Sequence, residues 1–158
     1  MSIILETEKD REVEERAIKR IVEARGGCQS FRFPPMSLVD YLISDRRTHA
    51  KAIAFIEIKA RKESADQVRS YGGLILKARK IRELAQIEVM MKVPVWAVFP
   101  FEDGFGDIYY ARPSELLHKE EEAPPIRRNY RGLDCDDEPV VYLDWGAEVL
   151  PLILKGES

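Results

Sequence analysis

Between residues 8 and 25, in EKDREVEERAIKRIVEAR, apolar side chains recur at Val13, Ala17, Ile18, Ile21 and Val22, and the run stops at Gly26 and Gly27. That three-and-four spacing predicts a first helix with one buried face. A short segment, CQSFRF, leads into Pro34 and Pro35. MSLVDYLI then predicts a strand, SDRRTHAK a polar connection, and AIAFIEIKA a second strand, so the pair should close as a hairpin. From Ser64 to about Met91 the pattern is helical, broken only by Gly72 and Gly73. Each glycine costs roughly 1 kcal/mol against alanine unless a kink or close contact with the sheet calls for it. VPVWAVFPF and FGDIYYAR predict a second hairpin about Asp103 and Gly104. Residues 113–139 are polar, proline-bearing and irregular, and PVVYLDW predicts a last strand added at a sheet edge. No internal repeat is visible. Helices interleaved with strands in this order predict an α/β domain, a mixed sheet flanked by helices.

Composition narrows the picture. At 158 residues and 45% hydrophobic, the chain suits one domain with a substantial core. No apolar run approaches the roughly 20 residues of a membrane span, and Met1 to Leu5 is too short for a signal peptide, so a cytosol-like compartment is expected. Cys28 and Cys135 lack metal-type spacing and read as two inert thiols. A net charge of -3 argues against attachment to nucleic acid by bulk charge, while leaving room for a local basic groove. Basic residues cluster at Arg46 and Arg47, at Lys59, Arg61 and Lys62, at Lys77, Arg79, Lys80 and Arg82, and at Arg127, Arg128 and Arg131. Taken singly, such clusters are more often solvated faces than binding surfaces. His49 and His118 have no serine or cysteine partner in a recognisable motif, and no glycine-rich phosphate loop occurs.

The chemistry gathers where the most apolar strand ends. Side chains alternate along a strand, so Glu57 and Lys59 share a face while Ile56 and Ile58 share the other. Ala52 to Ile56 is apolar on both faces, as in a central strand covered on both sides. An unpartnered carboxylate emerging from such a strand is costly and calls for a cation or a hydrogen-bond network. A hairpin centred near residue 47 or 48 sets Asp40 across from residue 55, or from Glu57 after a small shift. Opposed carboxylates repel unless positive charge lies between them, and oxygen donors that leave room for water suit magnesium or manganese. The Ile58 carbonyl would be a third protein ligand, and Lys59 could orient a water and stabilise charge on a phosphate. The plainer alternative is a surface Glu-Lys pair at a strand end.

With Val39-Asp40 followed by Glu57-Ile58-Lys59, the sequence resembles the PD-(D/E)XK nuclease superfamily over roughly residues 8–112. The first motif lacks the proline that often precedes its aspartate. The resemblance implies a restriction-endonuclease-like core in the order α-β-β-β-α-β-β, here with a C-terminal edge strand. It also implies Mg2+ or Mn2+ bound by Asp40 and Glu57, with Lys59 beside the attacking water. Glu15 in the first helix resembles the Glu-x-x-aliphatic pattern of archaeal junction resolvases and would reach the metal through water; Glu14 is the alternative if the helix phase differs by one residue. QVRSY, Gln67 to Tyr71, resembles the Gln-x-x-x-Tyr motif of the RecB-type branch, and positions i and i+4 share a helix face. Ser64 and Gln67 equally form a capping box, in which Gln67 serves only the helix start.

These residues together lead to the expectation of a single nuclease-like domain across residues 1–158. Its core would span about 8–112, with a loop and edge strand over 113–158. The resemblance implies a deoxyribonuclease acting in the cytoplasm of a bacterial or phage-infected cell, in replication, recombination or repair of a phage or mobile element. DNA would be the partner, alongside replication or recombination proteins or a second copy of the chain. The alternative is a nuclease-fold module that binds nucleic acid or protein without turnover, which the overall acidity favours. Residues 127–139 read either as a groove lining around Tyr130 or as a loop stapled by salt bridges.

Overall fold

A computed structural model describes residues 8–48, 51–61, 64–70, 74–101, 108–122, 139–144, 146, 148 and 150–152. The amphipathic first segment is helix α1, Glu8–Arg25, which buries Val13, Ala17 and Ile18. Gly26 and Gly27, both at positive φ, then turn the chain into β1, Cys28–Arg32. Strands β2, Tyr41–Asp45, and β3, Ala52–Ile58, follow as the expected hairpin. β1 pairs antiparallel with β2 and β2 with β3, while β5, Val95–Phe99, joins the other side of β3 in parallel. β6, Ile108–Ala111, and β8, Leu150–Leu152, complete a six-stranded sheet in the order β1-β2-β3-β5-β6-β8. β3 is therefore central, which explains its apolar character on both faces.

Alternation divides the core. Ile56, Ile58 and Val98 pack with Ala17 and Ile18 of α1 on one face. On the other face, Phe55 and Val95 pack with Leu84 of α3, Ala78–Met91, while Ala97 and Phe99 meet Ile81 of the same helix. Leu84, Ile81, Val95, Val98 and Phe99 have no exposed surface, so both layers are fully formed around β3 and β5.

Several expectations about the elements need correction. The continuous helix predicted from Ser64 to Met91 is instead a short α2, Ala65–Ser70, a strand β4, Ile75–Lys77, and α3. Leu74 and Leu76 are both buried, and β4 pairs antiparallel with β7, Val140–Tyr142, so an available partner strand overrides the helical propensity of the LILK segment. For the same reason PVVYLDW is not an edge strand of the main sheet: its Val140–Tyr142 forms a separate two-stranded sheet with β4, and the edge position is taken by β8. CQSFRF is a strand in its own right, and the strand predicted from Met36 begins only at Tyr41, because residues 34–37 form a turn. The irregular stretch from residue 113 includes a 3-10 turn at Pro113–Glu115 and a helix α4, Leu117–Glu122. Residues 123–138, including Cys135 and the 127–131 basic cluster, together with Tyr71 to Gly73, His49 and the turn at Asp103 and Gly104, lie outside the described residues.

Candidate metal centre and catalytic site

The hairpin register leads up to the two carboxylates. Near the hairpin turn Ser44 faces Ala52, and continuing that pairing would set Asp40 opposite Ile56 with its side chain on the α1 face. The register shifts between Ile43 and Ser44, so that Ile43 faces Ala54 and Tyr41 faces Ile56. Ile53 is the extra residue of this β-bulge. At Asp40 the backbone departs from that register, since its N–H meets the Ile56 carbonyl although Ile56 faces Tyr41, and its negative charge acts on Glu57.

Asp40 is then fixed by three hydrogen bonds. Its backbone N–H donates to the Ile56 carbonyl at 3.0 Å, and its carbonyl accepts from the Phe33 N–H at 2.8 Å. Its Oδ2 accepts from the Ile58 N–H at 2.7 Å, replacing a backbone acceptor where β2 has ended. The approach to Asp40 is held by a turn in which the Ser37 N–H donates to the Pro34 carbonyl, with Met36 at a φ of 71°. Proline at the second position and positive φ at the third are the marks of a type II turn.

Glu57 is 4% exposed. Its Oε1 lies 3.2 Å from the Lys59 ammonium and 3.2 Å from the ammonium of Lys80, which reaches across from α3. The Lys80 ammonium also donates to the Leu38 carbonyl at 2.7 Å. Among the described residues, the buried Glu57 Oε2 has no hydrogen-bond partner. Burial pushes the Glu57 carboxyl above its usual range, opposed by the Lys59 charge, reinforced by the negative charge of Asp40 and opposed again by Lys80. The Lys59 backbone is tied to β5 through its N–H to the Val98 carbonyl at 2.9 Å, so its side chain departs from a fixed point.

Lys80 escaped the sequence reading, which placed it in a solvated basic cluster. The helix phase carried the signal: Leu84 and Ile87, four and seven residues on, are the α3 residues that pack on Phe55 and Val95, and Lys80 extends that stripe to the strand end.

Of the remaining sequence candidates, Glu14 and Glu15 stand on α1 and Gln67 on α2. Glu15 is exposed on α1, whereas Glu14, with a side chain 15% exposed, turns inward and lies 3.9 Å from Arg32. Both glutamates act on the Tyr41 hydroxyl, whose pKa is raised by burial, with Arg32 opposing and Glu14, Glu15 and Asp40 adding to the rise. Gln67 forms the reciprocal capping box: its Oε1 accepts from the Ser64 N–H at 3.0 Å and its own N–H donates to Ser64 Oγ at 3.2 Å. Tyr71 lies outside the described residues. Among the described residues no three acidic, histidine or cysteine side chains gather into a metal cage. A cation here would rest on Asp40, Glu57 and backbone oxygen. The donors fit a hard divalent ion, which accepts carboxylate and carbonyl oxygen and keeps several waters, and the partnerless Glu57 Oε2 is the atom such an ion would satisfy. Among the described residues no helix is long and apolar enough to cross a membrane.

A mixed sheet whose central strand ends in Glu-x-Lys, with an aspartate just before the adjoining strand bonded to its backbone, belongs to the restriction-endonuclease-like class of α/β folds. Residues 3–147 match the family described as "phage putative PDDEXK endonuclease", and the chain belongs to that family. Among solved structures it is similar to Hjc, a Holliday junction resolvase from the archaeal hyperthermophile Archaeoglobus fulgidus, at 14% identity. The match covers 84% of this chain and 82% of that one, with a TM-score of 0.48. No curated protein sequence matches the chain.

Proposed function

We propose that this chain is a Mg2+- or Mn2+-dependent endonuclease that hydrolyses phosphodiester bonds in DNA, in the replication, recombination or repair of a phage or mobile element. The observation that carries the reading is the pair Asp40 and Glu57 at the end of the central strand, the one acting on the other, with a buried carboxylate oxygen lacking a partner among the described residues and an ammonium group alongside. Asp40, Glu57 and the Ile58 carbonyl would hold the ion. When bound, the ion would supply Lewis-acid polarisation of a phosphoryl oxygen and a water of lowered pKa. Lys59 holds positive charge at Glu57 Oε1, where it orients the attacking water and stabilises the charge that develops on the phosphate. The Ile58 N–H keeps the Asp40 carboxylate aimed along the strand end, so the site is organised before substrate arrives. Glu15 or Glu14 would act from α1 through water, and Gln67 with Tyr71 would border the substrate as in the RecB-type branch.

The test is incubation of the purified chain with supercoiled plasmid, linear duplex and single-stranded DNA, with Mg2+, Mn2+ or EDTA. Nicking or linearisation of plasmid that requires the metal and disappears in Lys59→Ala and Asp40→Ala supports the reading. Cleavage that persists in both variants places the chemistry elsewhere.

A further inference from the structure

Two ammonium groups share one oxygen of Glu57, and they differ in what else they do. Lys59 comes from the same strand as Glu57. Lys80 comes from α3, is the more buried of the two, and bridges Glu57 Oε1 to the Leu38 carbonyl, two residues before Asp40. Behind Lys80, Leu84 is fully buried against Val39, Phe55 and Val95, so the helix backbone is seated and only the lysine stem can swing. A compact, strongly hydrated ammonium on a flexible stem is a cation that water readily takes back.

We infer that Lys80 is a built-in counter-ion for Glu57 that a divalent cation must displace, so that metal entry releases the Lys80 ammonium from the carboxylate and from the Leu38 carbonyl. The inference rests on Asp40 and Glu57 being the metal ligands. Its physical basis is that an ammonium 3.2 Å from a ligand oxygen both repels an incoming divalent ion and occupies an oxygen that the ion needs. The competing role is a clamp, in which Lys80 holds Leu38, and through it Asp40, in the metal-binding position. The two roles predict opposite signs: removing a competitor tightens metal binding, and removing a clamp weakens it.

The 158-residue chain is titrated with Mn2+ by calorimetry in the absence of DNA, as wild type, Lys80→Met, Asp40→Asn and Glu57→Gln. The expected result is Mn2+ affinity at least tenfold tighter in Lys80→Met, which keeps the apolar stem and loses the charge. Equal or weaker binding by folded Lys80→Met overturns the inference. A second measurement needs no variant: acylation of lysine amines in wild type, read by mass spectrometry, with exposed Lys19 as the reference. Lys80 is expected to react slowly in EDTA and at least threefold faster at saturating Mn2+; unchanged protection with metal bound overturns displacement, and decides the matter should Lys80→Met not fold. If neither wild type nor Lys80→Met binds Mn2+, the metal-ligand reading falls and this inference with it. If wild type binds and Asp40→Asn does not, while Lys80→Met fails to tighten, only the counter-ion role is lost.

Discussion

Asp40 has a structural duty that is separable from its charge. Its Oδ2 is the acceptor for the Ile58 N–H, a main-chain donor at the buried end of the central strand. Asp40→Ala removes the acceptor, and a buried donor left without one costs about 1–3 kcal/mol. Asp40→Asn removes the charge beside Glu57 but keeps a carbonyl oxygen at the same reach. Both substitutions relieve carboxylate repulsion equally, so the difference between them isolates the hydrogen bond. For a domain of this size about 1 kcal/mol moves Tm by about 2–4 °C. The alanine variant should therefore melt about 2–12 °C below the asparagine variant. The assay is differential scanning calorimetry in EDTA, with amide exchange at Ile58 read in parallel; exchange there should accelerate in the alanine variant alone. Coincident melting, with Ile58 equally protected in both, would show that Asp40 does not hold the strand end.

Glu57→Gln should change the pH dependence of stability measured in EDTA. The folded-state pKa of Glu57 is raised above 4.5, so the native state binds its proton more tightly than the unfolded chain does. The stability this group contributes is complete below about pH 4.5 and is lost as pH rises through the folded value. Wild type should thus lose stability relative to Glu57→Gln over that window, and parallel urea-denaturation curves from pH 4 to 8 would refute the burial argument. Leu84→Ala should cost about 3 kcal/mol, a Tm fall of about 6–12 °C, because a fully buried leucine leaves a cavity beneath Val39 and Phe55; a fall under 2 °C would mean that α3 is not seated as described. Ser64→Ala and Gln67→Ala should each loosen α2 by about 0.5–2 kcal/mol, seen as faster amide exchange at Gln67 and Val68. If Gln67 also meets substrate, Gln67→Ala lowers nuclease activity further than Ser64→Ala; equal activities would confine it to the cap.

The sequence was legible where one local rule acted alone. Alternation in AIAFIEIKA identified the central strand and put Glu57 and Lys59 on one face, and the spacing in α1 gave a helix buried at Val13, Ala17 and Ile18. It failed where a remote partner decided. Leu74 to Lys77 is compatible with a helix, and only the presence of Val140–Tyr142 some 65 positions away makes it a strand. The same event hid Lys80: within a continuous helix from Ser64 its basic neighbours looked like one solvated face, and a helix that starts at Ala78 is free to choose a new phase. Gln67 shows a third case, since Ser-x-x-Gln carries two meanings and the reciprocal bonds to Ser64 establish only the capping one.

The pairing of β2 with β3 depends on an irregularity that neither Asp40 nor Glu57 encodes. Strand period is two, so a shift of one residue exchanges faces, and the uninterrupted hairpin would turn Tyr41 toward α3. Ile53, the extra residue that makes the shift, is an ordinary apolar side chain with no glycine or proline to mark it. Selection of the bulge therefore falls to packing. With it, Tyr41 and Ile43 enter the α1 core beside Ile56 and Ala54. Without it, Tyr41 and Ile43 would leave that layer for the other face. The hydrophobic layers above and below the sheet thus choose the register of β2, and the candidate site lies at the place where that core ends.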